Sequence, residues 1–152
     1  HSGIEAGFEW TVSPKFTLSG DGTVARHTYD FTEIVGSTAN DIIDGNRVDT
    51  APDTLAHMRA TFTPIDAFMI EIEWRHVGSY FTNPGNTAQY PGHDIFVLRA
   101  RYDLPGGTAL FGRLDNVLDT KYADRADFAF GNERYFPGRP RTVFLGLSHT
   151  FK

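Results

Sequence analysis

The chain has 152 residues, a net charge of -5, 40% hydrophobic and 14% aromatic residues, and no cysteine. The negative charge argues against a nucleic-acid partner, and the lack of cysteine excludes disulfides and thiolate metal sites. No run approaches the ~20 apolar residues of a membrane helix, but the alternating strands of a membrane barrel are compatible with this composition.

Seven segments alternate between apolar and polar residues, the two-residue period of a β-strand. The predicted strands are Gly3–Val12, Phe16–Phe31, Thr54–Thr63, Ala67–Tyr80, Ile95–Leu104, Thr108–Leu118 and Arg141–Phe151. No segment sustains a helical period. We therefore predict an all-β chain in which each strand has one face of bulky apolar residues and one face that is small, polar or charged.

The connections between these strands are alternately short and long. The short ones are hairpin turns that contain Pro or Gly, at 13–15, 64–66 and 105–107, and the long ones are predicted loops at 32–53, 81–94 and 119–140. Short turns at one end and long loops at the other are typical of outer-membrane barrels.

The strand count indicates part of a larger barrel. Bacterial barrels have an even number of strands, and seven would leave two unpaired edges in lipid. We expect an antiparallel, up-and-down transmembrane β-barrel segment, with residues 1–152 forming the C-terminal part of a longer barrel. The alternative is a soluble all-β ligand- or carbohydrate-binding module, which would bury its apolar face in a packed core.

Two motifs in the last third resemble a known family. The run Gly112–Tyr122, with Asn-Val-Leu-Asp at its centre, is similar to the penultimate strand of TonB-dependent outer-membrane receptors. The run Arg134–Phe151, which contains Tyr-Phe-Pro-Gly and Arg-Thr, resembles their last loop and terminal strand. The opening Gly-Ile-Glu run and the segment 45–54 before the third strand are also similar to this family.

The resemblance implies a barrel of about 22 strands, with an N-terminal plug and further strands upstream, in the outer membrane of a Gram-negative bacterium. It implies uptake of a scarce ligand, most often an iron–siderophore complex, with outer-membrane lipid around the barrel and the TonB complex reached only through the plug. It also implies that the terminal strand is the barrel-assembly signal, carried here by Val143, Leu145, Leu147, His149 and Phe151. Two departures from the family are His149, where an aromatic residue is usual, and Lys152 after the terminal Phe151.

Charged residues on the polar face are the first candidates for ligand binding. Arg75, Arg99 and Arg101 lie on neighbouring strands, and guanidinium groups suit the oxygens of anionic siderophores. The alternative interpretation is internal salt bridging with Glu71, Glu73 and Asp103, together with contact with the plug. In the long loops, aromatic residues could stack on aryl chelates; the candidates are Tyr90, Tyr135 and Phe136, with Phe128 and Phe130 beside them.

Nothing in the sequence favours catalysis. The chain has no Ser-His-Asp arrangement, no glycine-rich phosphate loop and no zinc-ligand spacing. The pairs Glu71–Glu73 and Glu5–Glu9 are interpreted as charges on the inner wall, and the histidines are irregularly spaced. We expect a protein that is not an enzyme and that carries no cofactor or structural metal.

Overall fold

The structure is a computed structural model of the chain, and it describes residues 1–31 and 43–151. This part of the chain contains eleven β-strands: β1 (Ser2–Ser13), β2 (Phe16–Arg26), β3 (Thr54–Ile65), β4 (Phe68–Val77), β5 (Tyr80–Phe81), β6 (Gln89–Tyr90), β7 (His93–Leu104), β8 (Thr108–Asp115), β9 (Ala123–Ala129), β10 (Asn132–Pro137) and β11 (Thr142–His149). In these residues no helix could cross a membrane.

Seven of the strands form one antiparallel sheet in the order β1-β2-β3-β4-β7-β8-β11. Each strand pairs with the next long strand in the chain, which is an up-and-down arrangement. The turns β1–β2, β3–β4 and β7–β8 are short and lie at one end of the sheet. In the turn β7–β8, Gly106 and Gly107 have φ of 85° and 84°, a conformation that glycine adopts without steric cost. The strands β1 and β11 are the two edges.

The register keeps the two faces separate across the whole sheet. Cross-strand partners lie on the same face, so one row runs through all seven strands on the apolar face: Trp10, Leu18, Ala60, Ile72, Leu98, Leu114 and Val143. The next row lies on the polar face: Thr11, Thr17, Thr61, Glu71, Arg99, Arg113 and Phe144. A one-residue slip of any strand would move its apolar set to the wrong face.

The apolar face is uncovered. Ile4 is 77% exposed and Leu145 is 84% exposed, and the same holds for many large side chains between them, among them Trp10, Val24, Val143 and Leu147. In the described ranges no second layer packs against this face. Burial occurs instead on the polar face, at Ile95, Val97 and Ala109, and beneath the long loops. The packed apolar face expected of a soluble module is therefore absent from the described structure.

The long connections dock on one another above the loop end of the sheet. The strands β5 and β6 form a small hairpin, and β9 and β10 form another. Buried Tyr80 and Tyr90 join them: the Ala126 N–H donates to Tyr80 Oη at 2.8 Å and the Ala123 N–H to Tyr90 Oη at 3.0 Å. In addition, the Phe128 N–H donates to the Thr82 carbonyl at 2.9 Å.

The end of the first long connection joins the same assembly through Asn86. The Arg47 N–H donates to Asn86 Oδ1 at 2.7 Å, and Asn86 Nδ2 donates to the Arg47 carbonyl at 2.9 Å. Asn46 Nδ2 also donates to the Pro84 carbonyl at 3.0 Å. The described parts of all three long connections thus form one continuous cap over the loop end of the sheet.

Two features of the predicted topology were wrong. The segments 81–94 and 119–140, predicted to be loops, carry the hairpins β5–β6 and β9–β10. The second hairpin has no apolar face; Asp127 pairs with Arg134 on the opposite strand and with Arg125 on its own strand, so the hydrophobic period is missing. Its turn at Phe130 and Gly131, with φ of 54° and 78°, has the positive dihedrals of a tight hairpin.

Several predicted strands also end earlier than expected. The second strand stops at Arg26 rather than Phe31, because the chain then bonds to its own loop: the Val48 N–H donates to the His27 carbonyl and the Tyr29 N–H to the Asn46 carbonyl. The fourth strand stops at Val77. The sixth predicted strand ends at Asp115 rather than at Leu118, because Asn116, with a φ of 50°, leaves the extended conformation. The first part of the loop 32–53 lies outside the described residues.

The cap gives a direct prediction for Tyr90. Tyr90→Phe removes the hydroxyl that satisfies the buried backbone of Ala123, which should destabilise the cap by ~1–3 kcal/mol. Tyr135→Phe is the matched control, because the Tyr135 hydroxyl has no partner among the described residues and its side chain is exposed. Amide hydrogen exchange should accelerate at 123–129 in the first variant only. Equal exchange in both variants would contradict this role of Tyr90.

Candidate ligand site

A polar cavity of 290 Å³ lies on the polar face, where the sheet meets the cap. We call it the arginine cavity, after the four arginines in its wall. Its lining residues are Arg75, Ile95, Val97, Arg99, Arg113, Asp115, Asn116, Tyr122, Asp124 and Arg139. Three adjacent strands and the connection that follows β8 supply them, so the cavity exists only in the folded sheet.

Strand register places the sheet residues of this cavity side by side. Arg75 on β4 faces Ile95 on β7, and Arg99 on β7 faces Arg113 on β8. Because side chains on a strand alternate, Ile95, Val97 and Arg99 all point to the same side. The apolar pair forms a buried floor, at 7% and 2% exposure, and the arginines form the walls.

A buried carboxylate that is not itself part of the cavity lining holds two of these arginines. Glu73 is only 2% exposed, and it forms ion pairs with Arg75 Nε and Arg99 Nη1. His57 Nε2 lies 3.0 Å from Glu73 Oε1 on the other side. A buried carboxylate is costly unless cations compensate it, so pairing with at least one of these arginines stabilises the fold.

The network continues along the sheet to Glu71. Arg99 Nη1 donates to Glu71 Oε1 at 2.9 Å, and Arg59 Nε lies 3.5 Å from Glu71 Oε2. The Thr61 hydroxyl donates to the same carboxylate at 3.2 Å. The internal salt bridging that the sequence suggested is therefore present.

The other two arginines of the cavity share Asp115. Arg113 Nε lies 3.0 Å from Asp115 Oδ1, and Arg139 Nη1 lies 3.4 Å from Asp115 Oδ2. The Arg113 guanidinium also lies 4.5 Å from the centre of the Phe144 ring, a cation–π contact. One carboxylate thus links β8 to the returning chain before β11.

Asn116 determines where Arg139 enters the site. Asn116 is 1% exposed; its Nδ2 donates to the Thr120 carbonyl at 2.9 Å and to the Arg139 carbonyl at 3.1 Å. Its Oδ1 accepts the Thr120 N–H at 2.9 Å. The side-chain amide of Asn116 therefore closes the turn after β8 and also binds the backbone of the segment that precedes β11.

Asp119 fastens the returning chain a second time. The Arg141 N–H donates to Asp119 Oδ1 at 3.2 Å, and Lys121 Nζ lies 3.4 Å from its Oδ2. The bond from Arg141 and the neighbouring Lys121 lower the pKa of Asp119. Asn116 and Asp119, the polar residues of the Asn-Val-Leu-Asp run, thus both bind the segment that follows β8 to the segment that precedes β11.

Tyr122 and Gly138 form the third part of this junction. The Gly138 N–H donates to the Tyr122 carbonyl at 2.9 Å, and the Arg139 N–H donates to Tyr122 Oη at 3.2 Å. A side chain at Gly138 would overlap the Tyr122 ring. The close approach of this ring therefore explains the glycine at position 138. Tyr122 itself forms part of the cavity wall.

The six predicted ligand residues do not come together. Arg75 and Arg99 line the arginine cavity. Arg101 lies further along β7 and pairs with Asp103 at 2.6 Å. Tyr90 is buried in the cap, and Tyr135 and Phe136 are exposed on β10.

Sequence reasoning missed most of the cavity wall. Arg113 could have been found, because it lies on the same face of a predicted strand as Phe111 and Asp115, opposite Gly112 and Leu114. Arg139, Asn116, Tyr122 and Asp124 carry no such signal, because they meet only where two distant stretches of chain cross.

The exposed aromatics of β9–β10 are interleaved with arginines. The Arg134 guanidinium lies 5.8 Å from the centre of the Phe130 ring and 5.6 Å from that of Phe136, and Arg125 lies 5.9 Å from the Phe136 ring. Asp127 sits beneath, with Arg134 Nε donating to it at 2.7 Å. A role of Tyr135 and Phe136 in ligand stacking stays a prediction.

The terminal strand presents its expected face outward. Val143, Leu145 and Leu147 are 63%, 84% and 64% exposed on the apolar face. His149 lies on the same face, with its Nδ1 2.8 Å from the Thr108 hydroxyl and its ring 4.6 Å from that of Phe151. The role of these residues as an assembly signal stays a prediction, and Lys152 lies outside the described residues.

The described ranges hold no group of three or more His, Asp or Glu side chains that could bind a metal ion. His57 and His76 instead contact carboxylates, Glu73 and Asp94.

No protein-family model matches the sequence. Solved structures do resemble the fold. The siderophore receptor PiuA of Acinetobacter baumannii superimposes with a TM-score of 0.81 at 17% identity, over 95% of this chain and 21% of the receptor. The ferric yersiniabactin uptake receptor FyuA of Yersinia pestis gives 0.75 at 17% identity, over 95% and 22%. The ferric preacinetobactin receptor BauA of Acinetobacter baumannii gives 0.74 at 21% identity, over 97% and 21%.

The chain has the fold of a segment of these receptors. It spans about a fifth of their length. The predicted fold class, an all-β antiparallel segment of about seven strands from a larger barrel, is thereby confirmed. The similar proteins are transport receptors rather than enzymes, which is consistent with the absence of catalytic motifs.

The junction at Tyr122 predicts a strong effect at Gly138. Gly138→Ala should displace the Tyr122 ring and lower the free energy of unfolding of the intact protein by ~1–3 kcal/mol. Gly85→Ala is the control, because its added Cβ would make only ordinary contacts, the nearest 3.8 Å away at Thr87. Adding Tyr122→Ala should shrink the cost of Gly138→Ala in a double-mutant cycle. Additive effects would contradict the direct clash.

The hairpin β9–β10 predicts a pH dependence. The hydrogen bond from Arg134 lowers the pKa of Asp127, aided by the charge of Arg125 against the opposing effect of burial. Because the folded pKa is lowered, the ionised carboxylate stabilises the hairpin above the ordinary Asp value of ~3.9, and this is lost as pH falls through the lowered pKa. The cross-strand NMR contacts between Ala129 and Asn132 should persist to pH ~4 and weaken below it.

In Asp127→Asn the pH dependence of the hairpin should disappear. The carboxyl carbon of Asp127 should itself titrate below ~3.9 in the unmutated protein. A titration at or above that value would exclude the proposed pairing in solution.

Proposed function

We propose that this chain is part of the transmembrane barrel of a TonB-dependent outer-membrane receptor that takes up a scarce ligand, an iron–siderophore complex. In this proposal residues 1–152 are the C-terminal part of the barrel. The plug and the preceding strands belong to the same longer protein, and the TonB complex acts through the plug. The protein lies in the outer membrane of a Gram-negative bacterium and catalyses no reaction.

The observation that carries the proposal is the exposed apolar face. Removing apolar surface from water is worth roughly 25 cal/mol per Å², and soluble monomers seldom expose apolar patches larger than a few hundred Å². Here bulky side chains such as Ile4, Trp10 and Leu145 stand outward along all the long strands. Outer-membrane lipid is the solvent that such a face fits, while the charged face then lines the lumen.

The ends of the sheet support the same proposal. All three long connections meet at one end and the short turns lie at the other, as in bacterial barrels with extracellular loops and short periplasmic turns. The unpaired edges at β1 and β11 would be unsatisfied in lipid, so further strands of the same barrel should pair there. The similarity in fold to siderophore receptors is our reason for proposing an iron–siderophore complex as the ligand.

Location is tested with the full-length protein in a Gram-negative host. The protein should sediment with the outer membrane, leave it only in detergent, and aggregate when detergent is removed. A protein that stays monodisperse in buffer alone would instead favour a soluble ligand- or carbohydrate-binding module.

A charged residue placed on the apolar face should show whether that face meets lipid or water. Leu145→Arg should reduce the folded barrel in the membrane, because an arginine facing lipid near the midplane costs ~2–4 kcal/mol. Ser148→Arg is the matched control on the same strand, because its side chain lies on the polar face opposite Ala109. Quantification of the folded fraction in outer membranes should show a loss only for the first variant. Equal folding of both variants would argue that the apolar face does not meet lipid.

Transport is tested by deleting the complete gene. The deletion strain should lose growth on at least one chelated iron source when iron is scarce, and the gene supplied on a plasmid should restore it. Unchanged growth on every chelate, together with unchanged uptake of radioactive iron, would reject iron as the cargo.

A further inference from the structure

We infer that the arginine cavity binds carboxylate groups of the transported ligand, so that the cargo is an anionic, carboxylate-bearing chelate rather than an aryl chelate. The inference rests on the proposed function and deepens it. It depends on four properties of the cavity: its free donors, the position of its counter-charges, its size and its lack of an open aromatic surface.

The first property is a surplus of hydrogen-bond donors. Arg75 donates through Nε to Glu73, and among the described residues neither of its Nη groups has a partner. Arg139 contacts Asp115 through Nη1, and its Nη2 and Nε are likewise without a partner in the described part of the chain. Both side chains are more than half exposed, at 54% and 58%. A guanidinium fork with free N–H groups is suited to a carboxylate.

The second property is the placement of the counter-charges. Glu71 and Glu73, which compensate the arginines of the sheet, are not among the lining residues, and the two carboxylates that do line the cavity, Asp115 and Asp124, are outnumbered by its four arginines. Glu73 holds Arg75 through Nε and Asp115 holds Arg139 through Nη1, which leaves the other donors of both side chains unpaired among the described residues. Binding an anion there requires little reordering of these side chains, which lowers its entropic cost.

The third property is size. The volume of 290 Å³ is at the lower limit of the ~300–1,000 Å³ of ordinary ligand pockets. It fits a small polar ligand or one carboxylate-bearing arm. A chelate with several aromatic rings requires more room.

The fourth property excludes ring stacking. Tyr122 is the one aromatic residue in the cavity lining given by the described structure. Its ring is already in contact with His93, at 4.5 Å between centroids, and would overlap any side chain at Gly138. An aryl chelate would find no open ring to stack on here, whereas carboxylates find the free guanidinium donors.

The test uses the full-length receptor, purified in detergent, with two iron probes. One is iron(III) citrate, and the other is iron(III) bound to catechol, which has an aromatic ring and no carboxyl group. The variants are Arg75→Gln, Arg139→Gln and Arg75→Lys. Arg26→Gln is the control, since Arg26 is exposed at the loop end of β2 and lies outside the cavity. Binding is measured by titration calorimetry, after circular dichroism has verified that each variant is folded.

These variants are chosen to keep the fold. Without Arg75, Glu73 still pairs with Arg99, and without Arg139, Asp115 still pairs with Arg113. Arg75→Lys keeps the positive charge beside Glu73 but has no planar fork. A merely structural role of Arg75 would therefore be rescued by lysine, and a carboxylate-binding role would not.

We expect the unmutated receptor to bind iron(III) citrate, and each glutamine variant to weaken this binding about ten- to hundredfold. Arg75→Lys should remain weak, and Arg26→Gln should bind like the unmutated protein. The inference is overturned if the unmutated receptor binds only the aryl probe, if the glutamine variants bind citrate normally, or if lysine restores full affinity. Loss of outer-membrane location or of all iron uptake would instead reject the proposed function, so the two failures are distinguishable.

Discussion

The rest of the structure depends on a single register shared by seven antiparallel strands. Because each backbone pairs with both neighbours in the sheet interior, the alternation of one strand is imposed on the next. Trp10 on β1 and Val143 on β11 lie in the same cross-strand row although they are 133 positions apart in the sequence. The residues of that row all lie on the apolar face, so the charged residues of the neighbouring row lie on the opposite, polar face.

This constraint creates an electrostatic problem, which the ion pairs on the polar face solve. Glu73 is buried in the wall and needs cations from its own strand and from β7, while His57 contacts it from β3. Arg75 and Arg99 therefore stabilise the fold whether or not a ligand is present. The same pairing uses only Nε of Arg75, which lines the cavity, and leaves its Nη groups without a partner among the described residues, so the structural and proposed recognition roles of this residue are compatible.

The cap is the second level of organisation, and it is made of side chains that bond to backbone. Tyr80 and Tyr90 accept N–H groups of β9, Asn86 pairs with the backbone of Arg47, and Asn116 accepts and donates at the crossing below. Such bonds satisfy buried backbone groups that lie outside the ladder of the sheet. They explain why connections outside the main sheet hold a defined shape, and why the segment before β11 brings Arg139 beside Asp115.

The long strands could be predicted because alternation is a local signal of period two. Positions such as Leu145 and Leu147 reveal their face from the adjacent residues alone. The hairpin β9–β10 could not be found in this way, because the ion pairs of Asp127 hold it together and it has no apolar stripe. The strand ends could not be predicted from the sequence either, because the turn at Asn116 depends on a contact with the carbonyl of Arg139, which is distant in the sequence.

The sequence by itself therefore determined the β-class, the long strands, their short turns and the two chemically distinct faces, since all of these follow from neighbouring residues. Only the tertiary structure decided which charges meet. Arg75, Arg113 and Arg139 come from three separate stretches, and their convergence is a consequence of strand register and of the chain crossing at Asn116 and Tyr122. Such long-range contacts leave no period in the sequence, because the residues between them can vary without changing the geometry that brings the ends together.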